Sequence, residues 1–143
     1  MKKVTPYIAS LFALVFIAAC LGGCATKKQE KGLDTTLAEY EKTIRWSLWD
    51  ASVEFLDPEY MASNAPTPLD LDRLRLFRVT GYEIRAATPT DEGMGFRQTV
   101  EIRMFNRNQA IERTLRDTQE WRYNAELERW FLTSGLPDVT KAR

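Results

Sequence analysis

The sequence predicts an α+β domain in which one long helix packs on a curved, four-stranded antiparallel sheet. Two periods in the pattern of apolar residues indicate this fold class. Between residues 36 and 56, apolar side chains recur at intervals of three and four, as on one face of a helix. From residue 73 onward they recur at intervals of two, in segments separated by turn-forming residues. A helix followed by hairpins must bury its apolar face on the apolar face of the sheet.

The long helix is predicted over residues 36–56. Thr36 and Glu39 have the spacing of a capping box, in which two side chains bond free backbone N–H groups at the helix start. The apolar stripe that is expected to face the sheet consists of Leu37, Tyr40, Ile44, Leu48, Ala51 and Phe55. A second stripe lies on roughly the opposite face and consists of Trp46, Trp49, Val53 and Leu56.

One helix cannot turn both of these stripes toward the same sheet. The second stripe is therefore expected either to be covered by the segment that follows the helix or to be a partner-binding surface. Covering agrees with the rarity of large exposed apolar patches on monomeric domains. A binding surface agrees with the enrichment of tryptophan in interface hot spots, with another protein or a second copy of the chain as the partner.

The segment between the long helix and the sheet is expected to contain a short helix and a loop. Asp57 followed by Pro58 is typical of a helix start. Residues 63–70 contain two prolines and are predicted to form a loop. In the first strand the apolar alternation shifts by one position near Thr80 and Gly81, which predicts a β-bulge there.

Four strands are expected, and Pro137 is predicted to end the structured part of the chain. The alternating segments lie at residues 73–87, 96–105, 110–123 and 129–134. The folded domain is therefore assigned to residues 34–137, and residues 138–143 are expected to be a C-terminal tail.

Polar residues on the core-facing side of the sheet are candidates for a ligand pocket. Gln98 lies on one strand, and Arg113, Asp117 and Gln119 share the inward parity of the next strand. Burial would raise the pKa of Asp117 and suit it to act as a general base. Because Arg113 and Asp117 are about 13 Å apart along an extended strand, they cannot form a direct pair. The favoured interpretation is that these groups rim the open end of the sheet and pair with their neighbours.

The composition limits the chemistry that the chain could perform. Its 143 residues include no histidine, which excludes a Ser-His arrangement and removes the commonest metal ligand. The 20 basic and 20 acidic residues balance, so no nucleic-acid partner is expected. Because no phosphate-binding or metal-binding motif is present, we expect no cofactor, no metal site and no catalytic residue.

The first residues have the pattern of a secretory signal. Two lysines precede an apolar run that ends in small residues. The run is followed by "LGGC" at residues 21–24, which resembles the lipobox of bacterial lipoproteins, while "IAAC", which ends at Cys20, is a weaker match. The resemblance implies that residues 1–23 are removed as a signal peptide and that Cys24 receives the lipid.

The lipoprotein resemblance also implies a location. Aspartate after the lipidated cysteine often signals inner-membrane retention in that family, and Ala25 stands there in this chain. The protein is therefore expected in the outer membrane, anchored by its lipid and facing the periplasm. Residues 24–33 are polar and are expected to form a lipidated tether. The alternatives are simple secretion and a retained membrane helix, although about 18 apolar residues interrupted by a proline are few for a spanning helix.

The predicted domain resembles the cystatin-like and nuclear transport factor two-like superfamily in its order of helix, short helix, bent hairpin and long hairpin. Trp121 and Trp130, on either side of a short turn, carry most of this resemblance. The superfamily includes enzymes, scaffold domains and envelope lipoproteins, so the fold alone selects no activity. We expect a non-catalytic binding or assembly module whose partner is another envelope protein or a second copy in a homo-oligomer. The alternative is a small-ligand pocket of the isomerase or cyclase type.

Overall fold

Residues 27–143 are described by a computed structural model, in which helices pack on one face of a four-stranded antiparallel sheet. Its helices are α1 (residues 27–45), α2 (Trp49–Ser52), α3 (Pro58–Asn64) and α4 (Pro68–Arg75). Its strands are β1 (Phe77–Thr90), β2 (Gly95–Asn106), β3 (Glu112–Asn124) and β4 (Arg129–Leu132). The strands follow one another in the order β1-β2-β3-β4, as in a meander. The predicted fold class is therefore confirmed.

The core lies between α1 and the inner face of the sheet. From α1, Tyr40 and Ile44 are completely buried. The sheet contributes buried aliphatic side chains at Val79, Val100, Ile102, Met104, Leu115 and Leu132. The ring of Tyr40 meets that of Trp121 edge to face, with centroids 5.1 Å apart, and this contact joins the helix to β3.

The sheet is bent by irregularities in β1. Its pairing with β2 shifts between Val79 and Gly81, where the sequence predicted a bulge, so that prediction is confirmed. A second shift lies between Ile84 and Ala86 and was not predicted. The first shift restores Tyr82 to the inner face, where it is buried. Bulges bend a strand and increase its local twist, which allows this edge of the sheet to curve around the helix.

The prediction of one continuous helix over residues 36–56 is wrong, because α1 ends at residue 45. Ser47 has a φ of 57°, in the left-handed region. Its N–H donates to the Ile44 carbonyl (2.8 Å) and the Leu48 N–H donates to the Thr43 carbonyl (3.0 Å), which is the hydrogen-bond pattern of a Schellman C-cap. The chain then turns and starts α2 at Trp49.

Contacts to β1 stabilise this break in the helix. The Ser47 Oγ accepts a hydrogen bond from the Val79 N–H at 2.9 Å. The indole N–H of Trp49 donates to the Phe77 carbonyl at 3.1 Å. Both bonds satisfy backbone groups of β1, which is an edge strand and has no neighbour beyond it among residues 27–143. Tertiary hydrogen bonds thus override the helical periodicity of the sequence.

The predicted tether at residues 24–33 is wrong where the structure describes it, since residues 27–33 belong to α1. The indole N–H of Trp130 donates to the Gln29 carbonyl at 3.0 Å, and Leu33 packs against the core. These contacts hold a polar segment in helical form although it lacks an apolar period. Cys24 and the predicted signal peptide lie outside the described residues.

The prediction that residues 63–70 form a loop, with strand periodicity from residue 73, is also wrong. Residues 63–70 contain the end of α3 and the start of α4, separated by three residues, and α4 continues to Arg75, so the first strand begins only at Phe77. Thr67 and Asp70 form a capping box, and Pro68 occupies the first turn of α4. The prediction of a short helix after Asp57 is confirmed, because the Asp57 carboxylate caps α3 by accepting from the Glu59 and Tyr60 N–H groups.

The predicted C-terminal tail at residues 138–143 is part of the folded domain. Val139 and Ala142 are buried in the core. Thr114 and Arg143 exchange two backbone hydrogen bonds of 2.7 and 3.0 Å, so the last residue pairs with the edge of β3. Pro137 therefore does not end the structured part.

Helix α1 spans the domain from one end to the other. At its start, Lys28 pairs with Glu128 in the β3–β4 turn (2.8 Å), and Gln29 bonds the Gly93 carbonyl in the β1–β2 turn (3.0 Å). We call this the anchor-side end, because it is the end nearest in sequence to the predicted lipid anchor. At about 1.5 Å per residue, α1 rises about 27 Å before the break beside Val79. We call that opposite end, which includes the β2–β3 turn, the distal end.

Candidate functional site

The structure brings three of the four predicted pocket residues together inside the sheet. Gln98 on β2 lies directly opposite Gln119 on β3, and its side-chain amide donates to the Gln119 Oε1 at 2.7 Å. The Tyr82 hydroxyl donates to the same oxygen at 3.2 Å. The Gln119 amide in turn donates to Asp117 Oδ2 at 2.9 Å. The result is a hydrogen-bonded chain across β1, β2 and β3, which we call the internal polar cluster.

Burial sets the electrostatics of this cluster. It raises the pKa of Asp117 above its ordinary value, and the hydrogen bond from Gln119 and the charge of Lys141 only partly oppose that effect. It raises the pKa of Tyr40 well above its ordinary value, and the neighbouring charge of Asp117 adds to the shift. The Tyr40 hydroxyl is buried and has no hydrogen-bond partner among residues 27–143.

The internal polar cluster offers little access to a ligand. Gln98 and Gln119 are 2% and 0% exposed, so a ligand would have to displace the side chains that cover them. Their amides are used by each other and by Tyr82 and Asp117, which leaves few groups to recognise a substrate. Arg113 does not join the cluster, because it lies opposite Met104, four residues along β3 from Asp117. The cluster is best suited to fix the packing of helix and sheet.

The four residues of the predicted partner-binding stripe are separated by the helix break. Trp49 and Leu56 are only 2% and 3% exposed and belong to the core, and Val53 packs against that core. Trp46 alone points outward, with 71% of its surface exposed. The stripe assumed a continuous helix and therefore does not exist as one surface. The alternative prediction was that the stripe is covered by other parts of the domain. It is correct for Trp49 and Leu56, which are buried.

Trp46 lines an open cleft of about 460 Å³ at the distal end. We call it the distal cleft, and its lining residues are Arg45, Trp46, Ser47, Arg78, Val79 and Arg107. They come from the end of α1, the start of β1 and the β2–β3 turn. Because these segments are distant in sequence, the pattern of residues gives no signal for this site.

The distal cleft carries positive charge that ion pairs within residues 27–143 neutralise only in part. Within residues 27–143, neither Arg78 nor Arg107 forms an ion pair. Arg45 has one contact of 3.4 Å with Glu41, on the exposed face of α1. By contrast, Arg85 contacts two carboxylates on the outer face of the sheet.

A second groove, of about 200 Å³, lies between α3, α4 and the C-terminal segment. Its charged groups are already used within the domain. Asp70 caps α4 and contacts Arg73 at 3.6 Å, while Asp138 accepts from Thr140 and pairs with Lys141 at 3.1 Å. Since its charges are compensated internally, this groove has less to offer a partner than the distal cleft.

Comparison with known proteins gives no relative: no family model, no curated protein and no solved structure matches this chain. The superfamily and lipoprotein resemblances therefore stay predictions. In the part of the chain that the structure describes, no helix is both long and apolar enough to cross a membrane. Nor do residues 27–143 bring together three or more side chains that could hold a metal ion.

Proposed function

We propose that this protein is a lipid-anchored, non-catalytic binding or assembly module of the bacterial cell envelope. In this proposal, lipid on Cys24 holds it at the outer membrane, facing the periplasm, and another envelope protein docks at the distal cleft. The observation that carries the docking site is Trp46, which is 71% exposed beside Arg78 and Arg107.

The composition of the distal end supports binding rather than simple solvation. Tryptophan and arginine are the residue types that dominate interface hot spots. Leu48, Leu76 and Ile111 lie in the segments that form the same end and are 53%, 39% and 52% exposed. An exposed indole beside aliphatic side chains loses unfavourable contact with water when a partner covers it.

The direction of α1 supports a partner in the periplasm rather than the membrane surface. Residue 27, the first described residue, lies at the anchor-side end, and Cys24 precedes it by three residues in the sequence. A lipid on Cys24 would hold that end at the bilayer, and the distal cleft lies about 27 Å away along the helix. In this arrangement the cleft faces away from the membrane.

The alternative function is a pocket of the isomerase or cyclase type. The observation in its favour is the raised pKa of Asp117 near the Tyr40 hydroxyl, which has no partner among residues 27–143. If Asp117 were a general base, Asp117→Asn would abolish the cellular function while the protein stays folded. A binding module would keep its function in that variant.

The anchor can be tested by metabolic labelling with a clickable fatty acid. We expect the full chain to be labelled, Cys20→Ser to keep the label and Cys24→Ser to lose it. Loss of label only in Cys20→Ser would move the anchor to Cys20. An unlabelled wild type would refute the lipoprotein assignment.

The docking site can be tested by co-purification from detergent-solubilised membranes. The wild type and Leu127→Ala are expected to bring down the same partner, because Leu127 is 57% exposed at the anchor-side end. Trp46→Ala is expected to lose that partner. If the partner is a second copy of the chain, the protein is a homo-oligomer instead. Retention of the partner by Trp46→Ala would exclude the distal cleft.

A further inference from the structure

We infer that the distal cleft recognises carboxylates, presented by an acidic segment of the partner protein. This inference rests on the proposed binding function and names the chemistry of the partner. It follows from the charge of the cleft, the rigidity of its frame and its distance from the anchor-side end.

The charge of the cleft calls for an anion. Its lining contains three arginines and no acidic residue. Glu41 is the one carboxylate in residues 27–143 that pairs with any of the three, and its contact with Arg45 is between two exposed side chains. Such a pair contributes little stability and is easily exchanged for a better partner. Arg78 and Arg107 offer their guanidinium groups without competition from an ion pair.

The frame of the cleft is held in place before any ligand binds. The Val79 N–H is bonded to the Ser47 Oγ at 2.9 Å, which fixes the end of α1 against β1. The Arg107 N–H donates to the Leu76 carbonyl at 2.8 Å, which fixes the β2–β3 turn to the start of β1. A preorganised site loses less conformational freedom on binding and therefore binds more tightly.

The geometry favours a protein carboxylate over other anions. A guanidinium group matches a carboxylate with two parallel hydrogen bonds, and the adjacent Trp46 indole can pack on the apolar part of a peptide. Nucleic acid is disfavoured because stable binding commonly uses more phosphate contacts than three arginines supply. An anionic lipid is disfavoured because the cleft lies at the opposite end of the domain from residue 27, which is three residues after the proposed lipid site.

Trp46 provides a reporter for ligand binding. The other three tryptophans, Trp49, Trp121 and Trp130, are each 2% exposed, so acrylamide quenching of the full chain should report mainly on Trp46. With protein purified from membranes in detergent, we expect poly-L-glutamate to protect Trp46 from acrylamide at low ionic strength. Added salt should weaken this protection, because it screens the charges.

The arginine variants decide whether the cleft is responsible. Arg78→Gln/Arg107→Gln should raise the poly-L-glutamate concentration needed for half-maximal protection by about tenfold or more. The reason is that charge-assisted hydrogen bonds contribute strongly to binding. Arg116→Gln/Arg129→Gln removes the same charge from two other arginines that form no ion pair within residues 27–143, and it should bind like the wild type.

Three other results of these quenching experiments would contradict carboxylate recognition. Absence of protection, or equal protection of both double variants, would exclude carboxylate recognition by the cleft. Stronger protection by inorganic polyphosphate than by poly-L-glutamate would assign the cleft to phosphate. Co-purification of the membrane partner separates this inference from the proposed function. If Trp46→Ala loses the partner and Arg78→Gln/Arg107→Gln keeps it, docking at the distal cleft stands. Only the acidic nature of the partner is then refuted.

Discussion

Trp46 and Trp49 are three residues apart, yet they lie in opposite environments. A continuous helix would place both on one face. In this fold Trp46 is 71% exposed and lines the distal cleft, whereas Trp49 is 2% exposed and donates its indole N–H to the Phe77 carbonyl. Ser47, between them, adopts a φ of 57° and ends the helix. A single residue in the left-handed region therefore decides which tryptophan stabilises the core and which faces solvent.

The same comparison distinguishes the two candidate sites. In the internal polar cluster, the side chains of Tyr82, Gln98, Asp117 and Gln119 are hydrogen-bonded to one another, and all but Asp117 are buried. In the distal cleft, the side chains of Trp46, Arg78 and Arg107 form no hydrogen bond or ion pair within residues 27–143. Groups that are satisfied internally stabilise a fold, whereas exposed groups without partners are available for binding.

The largest expected loss of stability follows from substitution of Trp49, on the buried side of the helix break. Trp49→Ala should reduce the free energy of unfolding by about 3–5 kcal/mol, because it leaves a cavity and removes the bond to Phe77. Trp46→Ala should change stability by less than about 0.5 kcal/mol, as is usual for exposed positions. Urea unfolding of both variants measures the difference. Equal losses of stability would mean that the two tryptophans do not lie in different environments.

The internal polar cluster should be nearly as sensitive. Gln119→Leu should cost about 2–4 kcal/mol, because it leaves the Gln98 amide and the Tyr82 hydroxyl buried without their acceptor. The double variant Gln98→Leu/Gln119→Leu should recover part of this loss, since one orphaned group is removed as well. Thermal melts of the single and double variants test this. A neutral Gln119→Leu would show that the cluster is accessible to water.

Substitutions at Ser47 test the helix break that separates Trp46 from Trp49. Ser47→Ala should cost about 1–2 kcal/mol, because the Val79 N–H loses its acceptor while the left-handed conformation is kept. Ser47→Gly also loses the acceptor, but a glycine relieves about 1 kcal/mol of backbone strain and should be closer to the wild type. Chemical denaturation ranks the variants. A glycine variant less stable than the alanine variant would contradict the left-handed conformation.

The pH dependence of Asp117 should be smaller and have a definite sign. Because burial raises its pKa above the ordinary value of 3.8, the folded protein holds this proton to higher pH than the unfolded chain does. Its contribution to stability is thus full below that value and is lost as pH rises through the raised pKa. Asp117→Asn should therefore gain melting temperature relative to the wild type as the pH rises from about 4 to neutral.

Asp138 provides a control of opposite sign. Its hydrogen bond with Thr140 lowers the pKa of Asp138, so its contribution to stability is present at neutral pH and is lost as pH falls through the lowered pKa. Asp138→Asn should therefore lose stability relative to the wild type at neutral pH and approach it in acid. The same trend for both variants would refute the assignment for Asp117.

The sequence predicted the sheet better than it predicted the helices. Alternation located the strands and the bulge near Gly81, because the side chains of each strand meet a core on one face only. The end of α1 at residue 45 depends on hydrogen bonds to Phe77 and Val79, some thirty residues later in the chain, which no local pattern contains. By contrast, the capping box of α4 is a local pattern formed by Thr67 and Asp70. The two neighbouring prolines favoured a loop instead, although one of them occupies the first turn of the helix.

Of the two candidate sites, only the internal polar cluster could be predicted from the sequence. The shared inward parity of Gln98, Asp117 and Gln119 was predictable, because it depends only on strand periodicity. The distal cleft was not, because it exists only where the helix break places Trp46 beside Arg78 and Arg107. Its position depends on tertiary contacts rather than on spacing in the sequence.

Site-specific photo-crosslinking in living cells tests the central claim most directly. Benzoylphenylalanine, which keeps a large aromatic side chain at the position, would replace either Trp46, in the distal cleft, or Leu127, which is 57% exposed at the anchor-side end. The proposal predicts that ultraviolet light joins one envelope protein to the chain from position 46 and not from position 127. The absence of an adduct from position 46, or the same adduct from both positions, would contradict it.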